Sequence, residues 1–153
     1  MKQYFFSPDF TLGDLIISST ARSMGVGNYP PRSARMALRH LCVSVLQPLR
    51  DYYGHPIAVI AGYRSRVVNK AEGRRKDSQH MRGEAADLMF PDIDTAHRWV
   101  DFIRTHCVFD QMLLLPCDSG SDVHCLHVSC CIDEKRNRRV YRELSADTCA
   151  DYF

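Results

Sequence analysis

The ten residues 78–87 (SQHMRGEAAD) constrain the fold more than any other segment of this chain. Gly83 permits a tight reversal of the backbone, and the two alanines that follow Glu84 let a neighbouring segment approach closely. We therefore predict that a loop carrying His80 runs into a strand carrying Asp87, and that the strand faces the loop. A fold containing this segment must hold an imidazole and a carboxylate near each other.

A second histidine, His127, lies in another apolar segment typical of a strand (LHVS, 126–129). Two imidazole nitrogens and one carboxylate oxygen make a three-ligand set for Zn²⁺ and leave a fourth position for water, as catalytic zinc requires. The sequence therefore predicts a zinc site formed by His80, Asp87 and His127.

Apolar spacing predicts the order of helices and strands. In residues 32–53 apolar side chains recur every three or four positions, which indicates an amphipathic helix that Pro48 should kink. The predicted order is a helix at 9–24, the helix at 32–53, a strand at 56–61, a polar surface loop at 62–83, a strand at 84–89, a helix at 94–106, and strands at 109–115 and 124–131. This order predicts an α+β fold, with a small, mostly antiparallel sheet and flanking helices. No linker or repeat divides residues 1–153, so we expect a single domain.

The charge pattern bears on possible partners. A formal net charge of +2 is too small to predict a nucleic-acid partner. Basic residues nevertheless cluster near the end of the chain (Lys135, Arg136, Arg138, Arg139 and Arg142). Because clustered basic residues in a turn are more often a solvated face, we expect no nucleic acid to bind, and we expect a monomer.

Two further features concern the compartment. No apolar run approaches the ~18 residues of a membrane span, and the N-terminal segment lacks the apolar run of a secretory signal. We expect a chain that is cytoplasmic as synthesised, and seven cysteines that are reduced and mostly buried. The adjacent Cys130 and Cys131 do not suit a cysteine zinc site, because neighbours on a strand point to opposite faces.

The pattern SxHxxGxAxD at 78–87, followed some forty residues later by a strand ending in HVS, resembles a known family. It is similar to the zinc D-Ala-D-Ala carboxypeptidases and L-alanyl-D-glutamate endopeptidases, the VanY-like enzymes that share their fold with the hedgehog signalling domain. The segments GYRS (62–65), FDQ (109–111) and NRR (137–139) extend the likeness, which covers roughly residues 9–140.

The resemblance implies a zinc peptidase that hydrolyses peptidoglycan stem peptides, either as a D,D-carboxypeptidase or as an L-Ala-D-Glu endopeptidase. It implies that His80, Asp87 and His127 hold the metal, and that Arg64 binds a substrate carboxylate or polarises the scissile carbonyl. Ser78, which would support the first histidine, and Gln111 are the other expected substrate contacts. An enzyme without an export signal would reach the cell wall by release, as in phage-type lysis.

The catalytic base departs from the family pattern. Where members of this branch carry an acid, this chain has Leu115 and His124, and a Cys replaces the usual Trp at 125. A zinc peptidase needs a group that takes a proton from water and returns it to the leaving amine. His124 and Asp122 are our candidates, His124 only if its strand begins after it. The alternative hypothesis is a catalytically impaired zinc-binding relative that serves as a cell-wall-binding or phage structural module.

Overall fold

The computed structural model describes residues 3–115 and 124–145. Its strands are β1 (Phe5–Ser7), β2 (Phe10–Thr11), β3 (Val59–Ala61), β4 (Ala85–Met89), β5 (Gln111–Leu115), β6 (Cys125–Ser129) and β7 (Val140–Glu143). Its α-helices are α1 (Leu12–Leu15), α2 (Ser19–Met24), α3 (Arg32–Leu41), α4 (Gln47–Tyr53), α5 (Arg66–Ala71) and α6 (Ile93–His106). A π-helical turn (Cys42–Leu46) and two 3₁₀ turns (Gln79–Arg82 and Glu134–Arg136) complete the elements.

The main sheet has five strands in the order β3-β4-β6-β5-β7. Three of its strand pairs are antiparallel and the outer pair β5–β7 is parallel. Strand β1 pairs with β2 in a separate antiparallel sheet. The predicted α+β class and the mostly antiparallel sheet are therefore confirmed. The parallel strand β7 was not predicted, because its segment reads as polar and basic.

The sheet uses its two faces differently. Leu88, Met112, Leu126 and Val128 belong to the main hydrophobic core, together with Trp99 of α6. Because side chains alternate along a strand, the residues between them in β4, β5 and β6 point to the opposite face. That face carries the polar residues of the candidate site.

The prediction of one helix at 9–24 is wrong. Thr11 caps α1 and shares a capping box with Asp14, and α1 ends after one turn. Ser18 then caps α2, accepting a hydrogen bond from the backbone N–H of Ala21. Side-chain oxygens that satisfy free N–H groups favour a new helix start, so the segment forms two short helices.

Pro48 was expected to kink the helix or to split off its last turn, and the structure divides the helix just before it. The helix starting at Arg32 changes into the π-helical turn 42–46 directly before Pro48, which lies in the first turn of α4. A proline lacks the N–H of an α-helical hydrogen bond and its ring crowds the preceding turn, so a wider turn before it relieves the clash.

The predicted loop at 62–83 contains helix α5, which Ser65 caps through a hydrogen bond to the N–H of Val68. Its short apolar pair Val67–Val68 lies among basic residues, which obscured the helix in the sequence. In the part of the chain that the structure describes, no helix is long and apolar enough to cross a membrane.

Gly83, near the predicted site, combines a left-handed backbone with close contact to another element. Its φ is +71°, and an added Cβ would meet the carbonyl oxygen of Ala34 on α3. Gly73 has a similar φ of +66° but open space around it. Both glycines have a left-handed backbone, but only Gly83 of the two lies in close contact with another element.

We predict that Gly83→Ala destabilises the fold more than Gly73→Ala. The left-handed backbone costs an alanine roughly 1–2 kcal/mol at either position, and the clash with α3 adds about 1–3 kcal/mol at Gly83. Denaturant unfolding of both variants measures the difference. Equal losses would mean that α3 moves away freely and that Gly83 is not required for packing.

Candidate functional site

A pocket of about 420 Å³ opens on the polar face of the sheet. Among its lining residues are His80, His127, Arg64, Ser78 and Gln111. Five of the residues singled out in the sequence therefore share one cavity, although they come from four separate parts of the chain.

Strand register brings Asp87 and His127 together. Strands β4 and β6 pair antiparallel with Asp87 directly opposite His127. Directly opposed residues have their side chains on the same face. His127 Nδ1 lies 2.8 Å from Asp87 Oδ1.

His80 reaches the same carboxylate from the 3₁₀ turn at 79–82. Its Nε2 lies 3.3 Å from Asp87 Oδ1. The Ser78 hydroxyl caps the turn by accepting a hydrogen bond of 3.3 Å from the His80 backbone N–H. At the other end, Gly83 adopts the left-handed conformation that ends the turn. Ser78 thus caps the turn that carries His80.

The orientation of the His80 ring is fixed from behind. Its Nδ1 lies 2.6 Å from the backbone carbonyl oxygen of Gly62. Because a carbonyl oxygen can only accept, Nδ1 carries the hydrogen and Nε2 faces Asp87 with its lone pair. Burial lowers the pKa of His80, against the opposing attraction of Asp87, which favours the neutral imidazole that metals require.

Asp87 is ionised in spite of its burial. Burial by itself raises the pKa of a carboxyl group, but the neighbouring His80 and His127 outweigh it and hold the pKa of Asp87 well below its usual value. The ligand atoms of His80, Asp87 and His127 all lie within 4.8 Å of one another, and all three residues are buried. Two imidazoles and one carboxylate at these separations fit a Zn²⁺ ion. Within residues 3–115 and 124–145, this is the only group of potential metal ligands that meets this criterion.

Arg64 supports the carboxylate from the side away from the imidazoles. Its Nη2 lies 3.4 Å from Asp87 Oδ2, and its Nε lies 3.0 Å from Glu72 Oε2. Its backbone N–H donates to the carbonyl oxygen of His80. Arg64 is buried, so it orients Asp87 in addition to lining the pocket. No sequence pattern pointed to Glu72, because its pairing with Arg64 depends on how α5 packs.

Asp110, like Glu72, had no role predicted from the sequence. It is buried and accepts hydrogen bonds from Gln79 Nε2 at 2.9 Å and from the backbone and side chain of Arg138. Burial raises its pKa, but the hydrogen bonds from Arg138 and Gln79 lower the pKa of Asp110 to about 2. Asp110 thus ties β5 to the residue before His80. Its position in the FDQ segment (109–111) was a sequence feature that could have pointed to it.

Of the two candidate bases, the structure describes His124. Asp122 lies outside the described residues. His124 is half-buried. Strand β6 starts at Cys125, directly after His124, as we required for His124 to serve as the base. Its Nδ1 is buried and has no hydrogen-bond partner among the described residues. His124 is not among the residues that line the pocket.

Leu115 occupies the place where the resemblance led us to expect an acid. It lies opposite Cys125 on β6 and belongs to a small buried cluster with Leu113 and Leu144. Two positions away on each strand, Leu113 lies opposite His127. Because side chains alternate along a strand, this pair points to the same face of the sheet as Leu115. Position 115 is therefore on the face of the site but in apolar surroundings.

The cysteines agree with the sequence-based prediction where they are described. Cys42, Cys107, Cys125, Cys130 and Cys131 are all free and buried. None of them belongs to the group of potential metal ligands.

Comparison with known proteins identifies a protein family. A family model described as Peptidase M15 matches residues 8–125, more than half of the chain. The match includes His80 and Asp87 and ends two residues before His127. No curated protein matches the chain.

We predict that the folded protein binds about one zinc ion and that His80→Ala, Asp87→Ala or His127→Ala each removes most of it. Each change takes away one of three protein ligands. Elemental analysis after dialysis measures the metal content, and His97→Ala, on the exposed surface of α6, is the matched control. Stoichiometric zinc in the His127→Ala protein would contradict the site.

We also predict that Arg64→Lys weakens zinc binding by about 10–100-fold, the usual effect of removing a residue that orients a ligand. One ammonium group cannot reproduce a planar guanidinium that spans Glu72 and Asp87. Competition with a chelating indicator measures the affinity. Unchanged affinity would show that Asp87 holds its orientation without Arg64.

Proposed function

Since the chain belongs to the Peptidase M15 family and is therefore a zinc-dependent peptidase, we propose that it hydrolyses a peptide bond in the stem peptides of peptidoglycan. The observation that carries the proposal is the buried His80–Asp87–His127 group beside a polar pocket. The segment matched by the family holds two of these residues, and strand register supplies the third.

We assign the metal to His80, Asp87 and His127. When bound, a zinc ion supplies Lewis acidity, which polarises a carbonyl group and makes water acidic enough to attack it near neutral pH. Other residues of the chain orient these ligands. Gly62 orients the His80 ring and Arg64 orients Asp87.

Arg64 has a second proposed role. Its guanidinium is buried beside the carboxylate and lines the pocket. A fixed cation close to the reacting carbonyl stabilises the negative charge that develops on oxygen in the transition state. Ser78 and Gln111 line the same pocket and are the proposed contacts to the peptide.

We propose His124 as the general base, with Asp122 as the alternative. Leu115 cannot accept a proton, and it lies buried in an apolar cluster. His124 precedes the first residue of β6, so strand alternation does not turn it away from His127. Its Nδ1 lacks a hydrogen-bond partner within the described residues, so no described group already occupies that nitrogen.

We predict that the zinc-loaded protein releases peptide fragments from purified peptidoglycan, and that His124→Ala abolishes the release while zinc stays bound. Mass spectrometry of the fragments identifies the bond. Asp122→Asn is the matched comparison and should have a mild effect. If Asp122 is the base, the two results exchange.

Two outcomes contradict the proposal in different ways. Release that survives both His124→Ala and Asp122→Asn would refute both candidate bases. Cleavage of unrelated peptides without any attack on peptidoglycan would refute the substrate class while leaving the peptidase activity in place. The His127→Ala protein, which lacks a ligand, is the negative control for both measurements.

A further inference from the structure

The basic segment near the end of the chain contributes to the pocket. Arg136 and Arg138 line it, and Arg82 joins them from the turn that carries His80. Arg64, Arg74 and Arg75 also line it, whereas the described part of the lining includes two acidic residues, Asp77 and Asp110. One cavity therefore gathers six guanidinium groups from three parts of the chain.

Burial differs sharply between these cations and the acids that pair with them. Glu84 lies 2.9 Å from Arg82 and 3.0 Å from Arg136, and its side chain is 7% exposed, against 42% and 50% for the two arginines. Asp110, 2.8 Å from Arg138, is 2% exposed, against 61% for Arg138. The carboxylates lie beneath the surface, and the guanidinium groups cover them.

The buried acids hold the exposed arginines in fixed orientations. Asp110 accepts from both Nε and Nη2 of Arg138, and Glu84 accepts from both Nη1 and Nη2 of Arg136. A guanidinium has five N–H donors, so each pair leaves donors that Asp110 and Glu84 do not use. Donors fixed in advance lose less entropy when they bind a planar anion.

Within the described residues, the arginines of the pocket outnumber the carboxylates that pair with them. Six arginines line the pocket, and their described carboxylate partners are Glu72, Asp77, Glu84, Asp87 and Asp110. Glu84 carries two arginines, although one would suffice to neutralise it.

We infer that Arg82, Arg136 and Arg138 form a subsite for a carboxylate of the peptide substrate that is separate from the bond cleaved. This inference rests on the proposed function of the pocket as a peptide site. Carboxylates and guanidinium groups pair with matching planar geometry. The subsite makes the protein selective for acidic peptides over their amidated counterparts.

Two other basic residues of this segment, Lys135 and Arg139, do not line the pocket. Arg139 donates to the backbone carbonyl oxygens of Arg104 and Cys107 at the end of α6. Lys135 is exposed and does not line the pocket. The arginines that pair with buried acids therefore point to a small ligand in a cavity rather than to a long polyanion.

The test compares two synthetic stem peptides that differ only at D-Glu, which has a free α-carboxylate in one and an amide in the other. We expect the zinc-loaded protein to favour the acid by about 10-fold or more in kcat/KM, the scale of a charge-assisted hydrogen bond. In Arg136→Gln and Arg138→Gln the ratio falls towards one, mainly through KM, while zinc content is unchanged. Lys135→Gln makes the same change of charge in the same segment and keeps the full ratio.

Several results would overturn the subsite. Equal kcat/KM for the two peptides in the unaltered protein would do so, and so would a preference that persists in both arginine variants. Arg136→Gln leaves Glu84 paired with Arg82, so it remains informative if Arg138→Gln fails to fold. Binding of a DNA oligonucleotide that falls steeply with salt and is lost in both variants would assign these arginines to nucleic acid instead.

The subsite can fail separately from the proposed function. Calorimetry with the same two peptides measures binding even when neither is cleaved. Tighter binding of the acid that depends on Arg136 and Arg138, without any hydrolysis, would support the subsite and contradict the proposed cleavage. Hydrolysis of both peptides at equal rates with equal affinities would support the cleavage and overturn the subsite.

Discussion

The antiparallel register between β4 and β6 places Asp87 opposite His127, and the whole site depends on this pairing. A slip of β6 by one residue would move His127 to the opposite face of the sheet, away from Asp87. Leu126 and Val128, which now pack in the core, would then face the pocket. The hydrophobic core therefore fixes the site: the apolar face of each strand can be buried in only one register.

A buried carboxylate needs partners on each side, and the fold provides them from different elements. The imidazoles approach Oδ1 of Asp87, and Arg64 approaches Oδ2. Arg64 is itself held by Glu72 on the far side. Because an unpaired charge in such a place is strongly unfavourable, these contacts depend on one another. The same contacts that stabilise the fold also orient the proposed ligands, so the site is formed as the chain folds.

The sequence predicted the central features of this arrangement because they rest on local patterns. Apolar runs located β3, β4, β5 and β6, the spacing of apolar residues located α3, α4 and α6, and the 78–87 segment holds two of the three proposed ligands. The division of residues 9–24 was missed because Ser18 acts through a single capping hydrogen bond. Glu72 was missed because its partner, Arg64, lies eight residues away across a helix. Such pairings depend on tertiary packing and leave no periodic signal.

The basic segment shows why net charge says little about a site. The chain carries a formal charge of +2, which by itself is too small to predict an anionic partner. A pocket, however, presents only the groups that reach its surface. Here Glu84 and Asp110 are buried under the arginines that they bind. These ion pairs therefore expose mainly their positively charged side chains. The local field is set by the depth at which each charge lies, and this depth is decided by the fold. A carboxylate entering the pocket would meet guanidinium groups first, and the acids that neutralise them would act on it from a greater distance.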